Sequence, residues 1–393
     1  MGRVHAAVWG ITLAVSTAFG CGGTASHDGS GDASLGSETS APDSSVDDAL
    51  SSDSGSQHTL DGAPSVEAGG DSAIPANTVG GCPLFPASSL WHQRVDSLPL
   101  DPNHAAYENW FKNHLDDQCL NNGGTTFHTY FPGAFYFNVV PSGQPLVPVS
   151  TTESLRGFSA GGAFVSDLPH AMPLDSSMKV EGPNGVNNGL SGDRHMVVVE
   201  SGSCTLWELY AAHLDSTGWH GETGVRWDLG RDETLPDGTG STTAAGDPIF
   251  PGYIRYDEVV SAAGIDHALT FQASIAVVAR IAFTHPASQR EAICASPTDP
   301  GAFPYGGRLR LKSSYSDPSA GPQANAVIRA LKEYGAFLDD VGCCFTFRLV
   351  NDPRWNAADM AALDRIDISD FEVPMFLDSL RNVGPVCANA GCQ

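Results

Sequence analysis

The sequence predicts a mainly β fold, a single β-sandwich, jelly-roll-like or irregular barrel domain with two or three peripheral helices. Short aromatic and β-branched runs recur between clusters of Gly, Pro, Asp and Ser, which is typical of strands. The regular strand–helix alternation of a doubly wound sheet is missing. The strand-like runs are FHTYF, AFYFNVV, HMVVVE, CTLWELYAAH, VRWDL, YIRYDEVV, HALTFQASIAVVARIAF, RLRLK and CFTFRLV.

Three helices are predicted beside these strands. The first covers residues 103–115, and the second covers 322–340. A short third helix follows Asn356, a suitable N-cap, with Asp359 at the third helical position. The apolar stripe of the second helix consists of Val327, Leu331, Tyr334 and Leu338.

Residues 1–20 predict a signal peptide for export. Arg3 supplies a positive charge, and the apolar run over 6–18 is shorter than the roughly 20 residues that span a bilayer. The segment AFGC, which ends at Cys21, resembles the lipobox of bacterial lipoproteins. That resemblance implies lipidation of Cys21 and a lipoprotein of the outer membrane or cell surface. Ordinary signal cleavage, which gives a secreted protein, is the alternative.

Residues 21–81 predict a disordered tether. The segment 22–81 has ten Asp or Glu residues and no Lys, Arg, Phe, Tyr or Trp, so it buries too little apolar surface to fold. Residues 82–393 are expected to form one domain, with 19 Lys or Arg against 35 Asp or Glu. This excess of negative charge argues against nucleic acid as a partner and leaves the lipid anchor as the only membrane contact. We expect a monomer.

The cysteines predict disulfides. An exported chain meets an oxidising compartment, so the eight cysteines beyond Cys21 allow up to four bridges. The neighbours Cys343 and Cys344 are expected to bond to different partners, and the connectivity stays open. The eight are Cys82, Cys119, Cys204, Cys294, Cys343, Cys344, Cys387 and Cys392.

The first candidate site is a predicted hairpin that carries His195 and Glu208. Its two strands, 193–200 and 204–210, are separated by the turn SGS. Side chains alternate along a strand, which places both groups among apolar neighbours, where a charge must be paired or used. The pair suits a general acid and base, a base with its orienting partner, or metal ligands. A structural His–Glu hydrogen bond is the alternative.

A divalent metal is the one cofactor for which the sequence offers ligands. His267 and His285 lie at predicted strand edges, so they could converge with His195 and Glu208. Separate polar strand ends are the alternative, and the sequence assigns no cofactor with certainty.

A second carboxylate near Glu208 would complete a glycosidase-like pair. In the run RYDEVV, strand alternation places Tyr256 and Glu258 on one face and Asp257 on the other. Tyr256 and Trp207 are candidates for stacking on sugar rings, although buried core aromatics are the default.

The run RLRLK predicts a basic stripe. Alternation places Arg308, Arg310 and Lys312 on one strand face. Arginine side chains suit the carboxylates of an anionic glycan, whereas a solvated outer face paired with acids is the alternative.

Several blocks of the domain are similar to a group of secreted proteins from bacteria and fungi. The resemblance covers most of 82–372 and implies secretion and a single domain, but no activity, fold or catalytic residue. The GFSAG segment, a GxSxG match around Ser159, lies outside these blocks and lacks the strand and helix of a nucleophile elbow. The blocks are CPLFPASSLW, GDRHMVVVE, CTLWELY, PIFPGYIRYDEV, IDHAL, RLRLK, ALKEYG and NDPRW.

The leading hypothesis is an anchored extracytoplasmic domain that acts on an extracellular polysaccharide as a hydrolase or lyase. Glu208 would be the acid or base, His195 its partner, and Asp257 or Glu258 the second carboxylate. Arg308 and Arg310 would hold substrate. A non-catalytic carbohydrate-binding or adhesion module is the alternative, and a metal-dependent enzyme of another class is a third hypothesis.

Overall fold

Strands dominate the computed structural model, which confirms the predicted mainly β class. The structure describes residues 78–115, 125–151, 155–158, 164–165, 170–291, 296–342 and 345–382. The strands are β1 (Asn138–Val140), β2 (Val147–Thr151), β3 (Leu155–Phe158), β4 (Phe164–Val165), β5 (Ala171–Met172), β6 (Met196–Glu200), β7 (Thr205–Leu209), β8 (His213–Asp215), β9 (Gly218–Gly221), β10 (Gly224–Asp228), β11 (Leu269–Ala273), β12 (Val278–Phe283), β13 (Phe303–Tyr305), β14 (Arg308–Leu311), β15 (Ala336–Val341), β16 (Thr346–Phe347) and β17 (Phe371–Glu372).

The helices of the described residues are short. The α-helices are α1 (His104–His114), α2 (Tyr256–Val259), α3 (Pro322–Glu333) and α4 (Ala357–Met360). Single 3₁₀ turns cover Leu90–His92, Pro183–Gly185, Phe250–Gly252, Leu363–Arg365 and Ile368–Asp370. Within the described ranges, no helix has the length and apolar character needed to cross a bilayer.

Four open sheets organise these strands. The largest has the order β1-β6-β7-β10-β3-β4, and the second has the order β16-β11-β15-β14-β17. A four-stranded sheet has the order β5-β2-β9-β8, and β12 pairs with β13. None of these four sheets closes on itself, so the described strands do not form the barrel that was one predicted alternative.

The central strands β6 and β7 of the six-stranded sheet are covered on both faces. Val197, Val199 and Trp227 point into one core cluster that also contains Phe337 of β15. Successive residues of a strand alternate between faces, so Val198 faces the opposite side. There it joins a cluster that reaches the four-stranded sheet. Continuous burial along β6 follows from this double cover.

A predicted helix and a predicted strand take a different secondary structure. The second helix ends at Glu333, because Gly335 adopts a positive φ of 70° and a Cβ there would lie 2.2 Å from the carbonyl oxygen of Leu309. The chain then continues as β15, which pairs with β11 in parallel. The strand predicted for YIRYDEVV is also wrong, since Tyr256–Val259 is one helical turn.

Other predicted features are confirmed. Residues 103–115 contain α1, and the Asn356 side chain accepts a hydrogen bond from the Asp359 backbone N–H at 3.1 Å. FHTYF, in contrast, is not a strand and contributes one isolated bridge, from His128 to Thr346.

One disulfide joins Cys82 to Cys204, across 122 residues of sequence. It fixes the segment that enters the domain to the turn between β6 and β7. The other predicted disulfide cysteines lie outside the described residues, as do the predicted signal peptide, the tether with Cys21, and Ser159.

Candidate functional site

The site begins at the hairpin of β6 and β7, whose predicted antiparallel pairing is confirmed. Met196 pairs with Leu209, and Val197 pairs with Glu208. The start of β6 and the end of β7 therefore lie side by side at one end of the strands of the six-stranded sheet. His195 directly precedes β6 and Tyr210 directly follows β7, and their rings lie 5.3 Å apart.

Glu181 is the direct partner of His195. Its Oε2 accepts a hydrogen bond from the His195 backbone N–H at 3.0 Å and contacts the ring Nδ1 at 2.6 Å. Burial lowers the pKa of His195, but the charge and hydrogen bond of Glu181 outweigh it and raise the pKa to about 9. In Glu181, burial raises the pKa of the carboxyl, and the charge of His195 reverses this, so that its pKa is lowered overall.

The other ring nitrogen of His195 contacts the main chain. Its Nε2 lies 2.9 Å from the carbonyl oxygen of Thr242, which can only accept a hydrogen bond. Both ring nitrogens thus face acceptors, and the group is an imidazolium. In that state His195 lacks the lone pair that a general base or a metal ligand needs.

The two catalytic candidates of the hairpin are linked through Thr242. Its hydroxyl donates to Oε2 of Glu208 at 3.0 Å, and Trp227 Nε1 donates to the same oxygen at 3.1 Å. The backbone N–H groups of Ile249 and Phe250 donate to Oε1 at 3.0 and 3.1 Å. All four donors surround a carboxyl that is only 1% exposed. This arrangement anchors the segment 242–250 to the sheet.

Burial is the dominant influence on Glu208 and raises its pKa to about 7, although these donors oppose the shift. The group nevertheless has no opening to solvent through which a substrate could reach it. Glu208 thus has the contacts of a structural carboxyl, but the glutamate that contacts His195 is Glu181 and not Glu208, unlike in the alternative interpretation of the hairpin.

The second large sheet contributes Asp340, near the end of β15, whose charge acts on His195. Its Oδ1 accepts from the backbone N–H of Ala244 at 3.3 Å, and its Oδ2 contacts the Arg348 guanidinium at 3.2 Å. Arg348 also binds both carboxylate oxygens of buried Asp339. Burial raises the pKa of Asp340 to about 7, against the opposing charge of Arg348.

Five residues together form what we call the junction cluster: Glu181, Asp193, His195, Tyr210 and Asp340. Asp193 is exposed, whereas Glu181, Tyr210 and Asp340 are half-buried and His195 is buried. The cluster therefore has a polar, mainly acidic rim above an imidazolium. Asp193 raises the pKa of His195 through its charge and hydrogen-bonds to Tyr210.

Glu258 lies in a separate group, the sealed cluster, formed by Arg255, Glu258 and His267. Oε2 of Glu258 binds the Arg255 guanidinium and lies 3.1 Å from His267 Nε2. All three residues are at most 4% exposed. In Glu258, burial raises the pKa, and the charges of Arg255 and His267 more than reverse this shift.

Asp257 and Tyr256 lie on the surface side of α2. The Asp257 side chain is 78% exposed and forms an ion pair of 2.8 Å with Arg354. Arg354 also lies over the Tyr256 ring, 4.1 Å from its centroid. Thus Asp257 and Glu258 do not form a pair of carboxyls that face one space.

The two arginines proposed to hold substrate are buried. Arg308 is 3% exposed and donates to the carbonyl oxygens of Leu90 and Gln93. Arg310 donates to the carbonyl oxygens of Val95 and Leu98 and to Glu372. Both guanidiniums therefore hold the entry segment against β14 instead of presenting an open anion-binding face.

Trp207 is also largely buried. It is 7% exposed, belongs to the core between the six-stranded and four-stranded sheets, and donates to Glu200 at 3.4 Å. It offers little free ring surface to a sugar.

The three candidate metal-binding histidines have separate partners. His195 binds Glu181, His267 binds Glu258, and His285 lies between Asp237 at 3.2 Å and Asp378 at 2.9 Å. Across the described ranges, the one group of three such ligand atoms within 4.8 Å of each other is His213, Asp215 and His220. These three residues were not among the candidates predicted from the sequence.

No protein-family model matches this sequence, and no curated protein or solved structure matches it.

Proposed function

We propose that the protein cleaves an extracellular polysaccharide by acid–base catalysis at the junction cluster. One observation carries the proposal: Glu181 contacts the imidazolium of His195 and Asp340 interacts with it through its charge, and the surroundings of these two carboxyl groups shift their pKa values in opposite directions. The pKa of Glu181 is lowered, whereas that of Asp340 is raised to about 7. Groups separated in this way are suited to act as base and acid in one reaction.

The roles follow from the protonation states. With its pKa raised to about 7, Asp340 is partly protonated at neutral pH, and the protonated form would donate its proton to the glycosidic oxygen as the C–O bond breaks. Glu181, held as an anion, would accept a proton from water in a hydrolase or from the sugar in a lyase. His195 is a positioning residue, because Thr242 fixes its ring and the ring holds Glu181 in place.

The rim supplies the contact surface. Asp193 and Tyr210 stand beside the two catalytic carboxyls and would hydrogen-bond to sugar hydroxyls. Two cavities of the described residues lie away from this cluster, one beside α1 and β14 and the other beside Arg308 and His285. Asp193 is exposed and Tyr210 is half-buried, so a polysaccharide would reach the cluster from the surface.

Export, lipidation of Cys21 and a disordered tether over 21–81 remain parts of this proposal. They rest on the apolar run, the lipobox-like segment and the acidic composition. We also propose a sandwich-like or jelly-roll architecture. It is supported by the six-stranded and four-stranded sheets, which share one apolar cluster containing Val198 and Trp219.

The test is to incubate the purified protein with neutral and acidic polysaccharides and to record new reducing ends and unsaturated uronic products. We expect turnover that falls at least about 100-fold in Asp340→Asn, the range typical of a lost general acid. Asp257→Asn is the matched control, because it removes a carboxyl that lies on the surface. Full turnover in Asp340→Asn contradicts the proposal. Binding of a glycan without turnover supports the carbohydrate-binding alternative instead.

A further inference from the structure

A second group of polar side chains lies on the hairpin of β8 and β9, outside the junction cluster. In this hairpin His213 pairs with His220, and Asp215 pairs with Gly218. Side chains two residues apart on a strand share a face, so His213, Asp215 and His220 all lie on one face. Leu214 and Trp219 occupy the other face and pack into the core.

The three polar side chains are close enough to share one ion. Their ligand atoms all lie within 4.8 Å of one another, and His220 Nε2 is 3.1 Å from Asp215 Oδ1. Zn²⁺ binds nitrogen and oxygen ligands at about 2.0–2.2 Å, which separates two ligands of a tetrahedral ion by roughly 3.3 Å. The rings of His213 and His220 stack with centroids 4.8 Å apart, so both imidazoles lie side by side at the site.

Neighbouring groups orient these ligands. His213 Nδ1 lies 3.3 Å from the carbonyl oxygen of Ala211, which favours hydrogen on Nδ1 and a lone pair on Nε2. The backbone N–H of Thr217 donates to Asp215 Oδ1 at 2.7 Å, and its hydroxyl donates to the same oxygen at 2.6 Å. Such contacts fix the direction of a metal ligand before the ion binds.

We propose that His213, Asp215 and His220 bind a divalent transition-metal ion, with Zn²⁺ as the best match. Two imidazoles and one carboxylate are ligands that suit Zn²⁺ better than Ca²⁺ or Mg²⁺. Asp215 is exposed and both histidines are half-buried, so the ion reaches the site from solvent. A fourth position stays open for water or an anionic ligand.

A matched control is available elsewhere in the chain. His285 lies between Asp237 and Asp378, so it combines the same residue types. There, however, the Arg381 guanidinium binds both aspartates at 3.0 Å and already balances their charge. We expect no metal-binding role for His285.

The test is a calorimetric titration of the purified full chain with ZnCl₂. We expect one equivalent of Zn²⁺ to bind at this site and its affinity to fall at least tenfold in both His220→Gln and Asp215→Asn. His285→Gln should stay within twofold of the unsubstituted protein. The melting temperature of each variant checks that the fold is kept. Absence of Zn²⁺ binding by the unsubstituted protein overturns the proposal, as does affinity within twofold in both hairpin variants.

Discussion

Two histidine–glutamate pairs of this domain have similar contacts but different surroundings. In the sealed cluster, Glu258 lies between Arg255 and His267, and every member is buried. In the junction cluster, Glu181 contacts His195 in the same manner, but acidic groups at the surface stand beside the pair. A His–Glu contact alone therefore does not distinguish the pair of the sealed cluster from the pair of the proposed site.

The difference is in charge balance and access. Glu258 has two positively charged or proton-donating partners within reach, so its pKa is lowered and it has no further role to perform. At the junction cluster, Asp340 keeps a pKa of about 7 while Glu181 stays anionic. In one region the charges are balanced inside the fold, whereas in the other a carboxyl with a lowered pKa and a carboxyl with a raised pKa are both half-buried.

The largest effect on stability is expected in the sealed cluster. Glu258→Gln leaves the buried guanidinium of Arg255 without its charge partner, so the free energy of unfolding should fall by about 3–5 kcal/mol. Urea denaturation measures this loss. Turnover per folded molecule should change less than twofold, and a turnover loss without a stability loss would contradict the assignment of Glu258 as structural.

The contribution of His195 to the free energy of unfolding should depend on pH, by about 3 kcal/mol. His195 has its pKa raised to about 9 from an ordinary value of 6.5. Because the folded state binds the proton more tightly, this stabilisation is complete below pH 6.5 and is lost as the pH rises through 9. The shift corresponds to about 3 kcal/mol at most.

Urea denaturation of the unsubstituted protein and His195→Gln between pH 6.5 and 10 tests this effect. The stability difference between the two proteins should shrink as the pH rises. A constant difference over this range would show that His195 does not bind its proton more tightly in the folded state.

Asp340→Asn is expected to separate activity from stability. Turnover should fall at least about 100-fold, which corresponds to about 2.7 kcal/mol of transition-state stabilisation. The free energy of unfolding at pH 8 should not fall by more than about 1 kcal/mol, because the substitution removes the cost of ionising a buried carboxyl and this offsets the contacts that are lost. A large loss of stability with unchanged turnover would place Asp340 with the structural groups.

The smallest effect is expected for the surface carboxyl. Asp257 is 78% exposed, and its partner Arg354 is 51% exposed, so solvent screens their ion pair. Asp257→Asn should change the free energy of unfolding by less than about 0.5 kcal/mol and leave turnover unchanged. A larger effect in either measurement would mean that Asp257 has a contact beyond this pair.

Sequence patterns predicted the part of the candidate site that comes from one continuous segment of the chain. The alternation of 193–210 and its short turn correctly predicted two paired strands, with Glu208 on the second and His195 directly before the first. Glu181 and Asp340 were missed, since a loop and the second sheet bring them to His195. Asp340 was assigned to the helix 322–340. The glycine at 335 was the available signal that this helix ends earlier.

The arginines of β14 illustrate a second limit. The alternation of side chains correctly predicted a strand. It does not show whether another segment of the chain covers a face of that strand. Both faces of Arg308–Leu311 are buried, because the entry segment lies over the arginine side. Hydrophobic periodicity identifies a strand with one solvated face, whereas β14 has none.

The most direct test of the opposed carboxyl pair needs no substrate. The aspartate carboxyl carbons can be labelled and followed by NMR through a pH titration. We predict one aspartate that titrates near pH 7, is absent in Asp340→Asn and persists in Asp257→Asn. If the signal of Asp340 instead titrates near the ordinary value of about 4, Asp340 is ionised at neutral pH and cannot serve as the general acid.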